Sequence, residues 1–285
     1  MWEEVARQVE LRGGRIHVRH RVVGIERSGF AITAIKVRDE SSGEVSSVPC
    51  DQFISTMPVR DLVGHLNPED PQIKRIADLL PYRDFMTVGL LVHKMAPTTF
   101  RRDRDSEYGM PRDNWIYIQE PDVKLGRLQI FNNWSTAMVA DPATVWLGLE
   151  YFCREGDELW SMSDGDFIAF AGAELEKIGL IDGRDIIDGT LVRVPKAYPA
   201  YFGEYREFGK VRAYLEQFSN LYPVGRNGMH RYNNQDHSML AANYAVESII
   251  NNGHGKSKSW DINADDEYHE EIRPIDDREL AGDRI

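Results

Sequence analysis

Apolar residues at Trp2, Val5, Ala6 and Val9 follow i, i+3, i+4, i+7 spacing, which predicts an amphipathic opening helix. Glu3 and Glu4 fall in its first turn and Arg12 near its end, the charge order a helix dipole favours. Gly13-Gly14 stops it. No capping loop precedes this helix, as in a domain whose upstream part lies elsewhere. Alternation then replaces the helical period. Ile16, Val18, Val22 and Ile25 predict one strand, and Phe30, Ile32, Ile35 and Val37 a second. A turn at Ser41-Ser42-Gly43 leads to a short strand over 44–48, and 51–55 runs as a strand into Thr56-Met57-Pro58. Helices are expected around 59–65 and 69–80.

From 85 to 196 the pattern is strand-rich: 86–92, 115–118, 128–131, 145–152 and 186–194, with one helix over 164–178 and Asp164 as its N-cap. After it come a helix near 206–218, a strand over 221–224, a glycine-bearing turn and a helix over 236–251. The expected fold is mixed α/β with α+β character. A partial α/β domain with a β-meander surrounds an inserted, mostly antiparallel sheet-and-helix domain. The boundaries read 1–65, 66–205, 206–255 and an acidic tail over 256–285.

Composition narrows the class. At 285 residues, 42% hydrophobic and 28% charged, the chain can bury a real core. Two lone cysteines, Cys50 and Cys153, form no CxxC, so a reducing, cytoplasmic setting is expected. No apolar run reaches the roughly 18–20 residues of a membrane span. The net charge of -12 argues against nucleic acid and anionic membrane as partners. From Asp261 onward ten acidic residues face three arginines, a balance of -7, so most of the excess sits in the tail.

Several candidate chemistries fail on spacing. His17 and His20, three apart in an expected strand, should point to opposite faces. His269-Glu270-Glu271 lacks the second histidine of a zinc-protease helix. Asp236-His237-Ser238 has triad residue types, but consecutive helical positions diverge by about 100°. No metal site is expected.

The stretch LYPVGRNGMHRYNNQDHSMLAA, residues 221–242, carries the most chemistry. Gly225 and Gly228 let backbone approach a ligand closely, and the helix starting near Asp236 offers unpaired N–H groups and a positive dipole end. Such an end favours a pyrophosphate or the polar edge of a reduced flavin. A glycine-bearing surface loop with a capped helix would account for the same residues.

This stretch resembles the C-terminal flavin-binding segment of the FAD-dependent amine oxidase and protoporphyrinogen oxidase superfamily. It is most similar to the branch like UDP-galactopyranose mutase, whose segment reads GR, five residues, then Tyr. Gly225, Arg226 and Tyr232 match it without a gap. The opening resembles the stretch leading to a valine at the FAD adenine, here Val22. FISTMP, with Thr56, Met57 and Pro58, resembles the strand end beneath the cofactor. KAYPAY is similar to a segment near flavin or substrate.

The resemblance implies FAD as cofactor, with Val22, Thr56, Met57, Pro58, Gly225, Arg226, Tyr232, Asn234, Gln235 and Asp236 on its side. It also implies a small-molecule substrate near Tyr198, Tyr201 and Arg231. The family begins with a GxGxxG pyrophosphate loop, and this sequence contains none. The expectation is therefore an N-terminally truncated, amine oxidase-like oxidoreductase, with the missing N-terminal half as a possible partner. A flavin-dependent sugar-nucleotide mutase, or a non-catalytic truncated relative, are the alternatives.

Overall fold

The computed structural model describes residues 1–96 and 110–262, which form two compact units, 1–81 with 201–262, and 82–200. Residues 263–285, with His269 and most of the acidic tail, lie outside the described residues.

The first unit starts with α1 (Trp2–Leu11), ended by Gly13 at φ +84°. Its apolar stripe does not form core: no residue of α1 is buried, and Trp2 is 54% exposed. The meander follows as β1 (His20–Ser28), β2 (Ala31–Asp39) and β3 (Val45–Pro49), an antiparallel sheet in that order. Ile16 and Val18 precede β1 because Arg19 turns the chain at φ +57°. That turn also overturns the expected divergence of His17 and His20, whose ring centroids lie 5.3 Å apart.

A short strand, β4 (Phe53–Ser55), leads to α2 (Val59–Leu66) and α3 (Pro71–Asp78). Asp70 caps α3 by accepting from the Gln72 N–H, and Pro71 fits the first turn, where no N–H is needed. Both helices turn apolar faces inward: Val59, Leu62, Val63 and Leu66, then Ile73, Ile76 and Ala77.

The second unit is an antiparallel sheet with one long helix. In chain order it contains β5 (Tyr82–Val92), β6 (Trp115–Tyr117), β7 (Arg127–Ile130) and α4 (Phe131–Trp134). β8 (Val145–Cys153), α5 (Glu158–Ser161), α6 (Asp164–Lys177) and β9 (Ile186–Pro199) complete it. The sheet order is β6-β7-β8-β5-β9. Alternate residues supply one core: Met86, Val88 and Leu90 from β5, Leu147, Leu149 and Tyr151 from β8, and Phe167, Ala171 and Leu175 from α6. The N-cap of α6 is Ser163 rather than Asp164; its side chain accepts from the Asp166 N–H.

The chain then rejoins the first unit through α7 (Phe208–Glu216) and β10 (Leu221–Pro223), which pairs in parallel with β4. Asn220 fastens this return. Its Oδ1 accepts from the Ile32 N–H at 2.9 Å, and its Nδ2 donates to the Ile32 and Asp51 carbonyls. α8 (Gly225–Gly228) and α9 (Gln235–Ile250) follow, then a 3-10 turn over Lys256–Asp261. That turn buries Trp260, so 256–262 pack as part of the unit rather than as a tail. Among the described residues no helix is long and apolar enough to cross a membrane.

Candidate functional site

The site grows from the end of β10. Val224 donates its N–H to the Ser55 carbonyl, tying the turn to the end of β4. Gly225 takes φ +78°, a conformation L side chains resist. Gly228 sits so close to β4 that a Cβ there would lie 2.6 Å from the Ser55 carbonyl oxygen. The loop beyond it is braced from below by His230, fully buried at φ +47° and stacked at 5.6 Å on the Tyr205 ring.

Arg226 and Tyr232, the matched residues of the GR-and-Tyr pattern, come together. The guanidinium lies 4.6 Å from the Tyr232 ring centroid, and Nε donates to the Asn233 carbonyl at 2.9 Å. Tyr201 joins them: its hydroxyl accepts the Tyr232 backbone N–H at 2.6 Å. Asn234 caps α9 in a reciprocal box with His237, whose Nδ1 accepts the Asn234 N–H. Ser238 Oγ donates to the Asn234 carbonyl. Asp236, His237 and Ser238 are therefore the first turn of a helix, as the spacing argument requires.

Beside these elements lies an open pocket of about 440 Å³ lined by Arg226, Asn233, Asn234, Gln235 and Ser238 together with Trp2, Met239 and Ala242. Its wall is largely apolar, through Trp2, Met239 and Ala242, and Arg226 is its charged lining residue. The guanidinium is joined by the first N–H groups of α9 at Gln235 and Asp236, which the capping box leaves unused. Gly225 keeps one side open, since a Cβ there would find only Ser238 Oγ, at 3.9 Å. This donor set fits the polar edge of a flavin ring. A glycine-rich pyrophosphate cradle has no counterpart in the sequence.

The other expected residues are placed as follows. Thr56 is exposed and Met57 half-buried at the end of β4, and Pro58 is the N-cap of α2. Val22 lies in β1 opposite Val37 and does not line the cavity. Arg231 donates to the Ile262 carbonyl. Tyr198 belongs to the second unit. Sequence reasoning missed Trp2, whose place on the apolar stripe of α1 read as packing, and Ser238, which read only as a failed triad.

A polar node on the second sheet was also missed. Arg127 and Glu150, each 3% exposed, pair at 2.5 Å, and Arg127 donates to the Tyr198 hydroxyl at 3.0 Å. Its guanidinium lies 4.7 Å from the Trp115 and Phe152 ring centroids. Burial opposes the charge, but Glu150 and Tyr198 outweigh it and hold Arg127 protonated. The only signal was a charge inside one expected strand, Glu150, and another at the edge of the next, Arg127.

The family model described as flavin containing amine oxidoreductase matches residues 1–236. The chain belongs to that family. FAD, the cofactor implied by the sequence, is of the flavin class this family carries.

Among solved structures, a reduced UDP-galactopyranose mutase matches with TM-score 0.69 and 18% identity, over 90% of this chain and 52% of that one. An oxidoreductase from Methanosarcina mazei matches with TM-score 0.50 and 12% identity, over 79% and 48%. At these identities the likeness is one of fold, and it bears out the mixed α/β expectation. The flavin-family chain spans about half the length of the structures it matches. No curated protein matches it in sequence.

Proposed function

We propose that this chain supplies the flavin-ring side of an FAD-dependent, amine oxidase-like oxidoreductase. The pyrophosphate cradle, absent from this sequence, belongs to a segment outside it. The observation that carries the reading is the pocket at the start of α9, lined by Arg226, itself held against Tyr232, beside unused helix N–H groups.

When bound, the flavin supplies the electron-transfer chemistry. The chain's own contribution is positional and electrostatic. The N–H groups of Gln235 and Asp236 favour negative charge at the ring edge. Arg226 and Tyr201 hold the loop, and Thr56, Met57 and Pro58 mark the strand end against which it packs. Val22 is assigned to the adenine side, and Tyr198, Tyr201 and Arg231 to the substrate. We place the protein in the cytoplasm: both cysteines are free, and burial with Asp157 and Asp84 pushes the Cys153 thiol up to about 12.

The test is a visible absorption spectrum of the purified chain with added FAD, beside a chain extended upstream. A flavin spectrum in either supports the reading, and no flavin in both would replace it with a non-catalytic relative. The Arg226–Tyr232 pair also motivates the mutase alternative, in which the flavin acts without net redox. Turnover of a UDP-sugar without electron consumption would select it.

A further inference from the structure

Residues 1–21 bury almost nothing: among them only Ala6 and Gln8 are even half-buried. Yet large apolar side chains recur along the segment. Trp2, Val5 and Val9 form the stripe of α1, Leu11 ends it, and Ile16 and Val18 follow, each 40–74% exposed. A helix of 10 residues is too short to hold itself in water, where roughly 12–15 are needed. Its stripe therefore calls for a surface to lie on.

The charge of the whole chain argues against an anionic membrane, but the charge of this segment has the opposite sign. Residues 11–25 hold Arg12, Arg15, Arg19 and Arg21, two histidines and no acidic residue. Two acids of β2 face them: Glu40 meets Arg21 at 3.5 Å, and Asp39 stands opposite His20 in the β1–β2 register. Arg12 donates to the Gln8 carbonyl, and Arg12, Arg15 and Arg19 have no ion pair among the described residues. On α1, Glu4 is held by Arg7 at 2.6 Å, while Glu3 and Glu10 fall about 100° away from the stripe.

From this arrangement we infer that residues 1–21 bind the surface of an anionic lipid bilayer, with α1 lying in the interface and Trp2, Val5 and Val9 turned toward the acyl chains. A tryptophan and aliphatic residues on one side of a helix, followed by arginines whose stems cross the headgroup layer, form an interfacial anchor. Each arginine near such a surface adds attraction that salt screens. Beyond the helix, Arg15, Ile16, Val18 and Arg19 set charged and apolar groups one after another along the chain. A fluid headgroup layer accepts that order more readily than a shaped protein groove, which reads one face. Trp2 also borders the pocket at α9, so bilayer and pocket meet at one side chain. The inference does not depend on flavin binding.

The test is co-sedimentation of the whole chain with vesicles of equal parts phosphatidylcholine and phosphatidylglycerol, beside vesicles of phosphatidylcholine alone. Binding to the anionic vesicles is expected below about 1 mM lipid, about tenfold weaker or more without phosphatidylglycerol, and falling as salt rises. Arg12→Gln and Arg15→Gln together should weaken it about tenfold. Val5→Ser and Val9→Ser together should leave the melting temperature unchanged, since neither side chain is buried, yet weaken binding about fivefold or more. No sedimentation with anionic vesicles up to about 10 mM lipid, or equal binding by the folded double-serine variant, overturns the inference. Dimerisation without vesicle binding, abolished by the same variant, also overturns it and makes a second copy the occupant of the stripe.

Discussion

Arg226 turns its guanidinium onto its own loop, with one bond to the Asn233 carbonyl and one face on Tyr232. Arg226→Ala should therefore lower flavin affinity roughly 5–30-fold, about 1–2 kcal/mol, in a form of the protein that binds flavin. Arg226→Lys should recover only part, since an ammonium lacks the planar fork. Fluorescence titration of FAD reads both. Lys256 makes a different prediction. Its Nζ donates to the Phe218 carbonyl and sits 5.4 Å from the Tyr222 ring centroid, and burial pulls its pKa down to about 8, with Glu216 opposing. The folded value lies below the ordinary one. The penalty on the charged form is therefore complete below about pH 8 and fades as pH rises toward 10.5. Lys256→Met should melt higher than the native chain at pH 7, and the gap should narrow by pH 10. At this scale the sequence was legible where spacing fixes a contact. Arg226 and Tyr232 lie on one tight loop, so the pattern that names them also brings them together. Arg127 and Glu150 meet only through the register of β7 and β8, which no local spacing encodes.

Loop and strand meet without slack at Gly228. In Gly228→Ala the new methyl faces the Ser55 carbonyl oxygen at 2.6 Å, a backbone atom that moves only with β4. A loss of about 1–3 kcal/mol is expected, read by chemical denaturation. Ser163→Ala should cost about 1 kcal/mol by removing the α6 cap, while Asp164→Ala leaves that cap bond in place. Periodicity revealed most elements, but their ends were harder to place. Ser163 and Asp164 are both good caps, and only the bond to the Asp166 N–H distinguishes them. The strand expected over 186–194 runs on to Pro199 as β9. A register shift between Arg83 and Phe85, with Asp84 accepting the Lys196 N–H at 2.7 Å, carries the strand past that point. Such irregularities depend on the partner strand and leave no trace in the pattern of β9 itself.

For the whole molecule, the insertion was legible but its edges were not. The structure divides at 81/82 and 200/201, against the expected 65/66 and 205/206. The cause is α3, a polar-looking helix after a loop, whose Ile73, Ile76 and Ala77 bury against α2 and α7 of the first unit. The second unit is one continuous stretch around its own core. Residues 82–200 made alone should therefore melt cooperatively by circular dichroism, whereas residues 1–81 alone should not. The first unit lacks that autonomy because its halves are joined by Asn220, 188 positions from its partner Ile32. At ribosomal rates of about 5–20 residues per second, Ile32 waits roughly 10–40 s for that partner to be made. The inserted unit has all of its own chain before the enclosing one does. A nascent chain stalled just short of Asn220 would leave β4 without its parallel neighbour, exposed to proteases and chaperones.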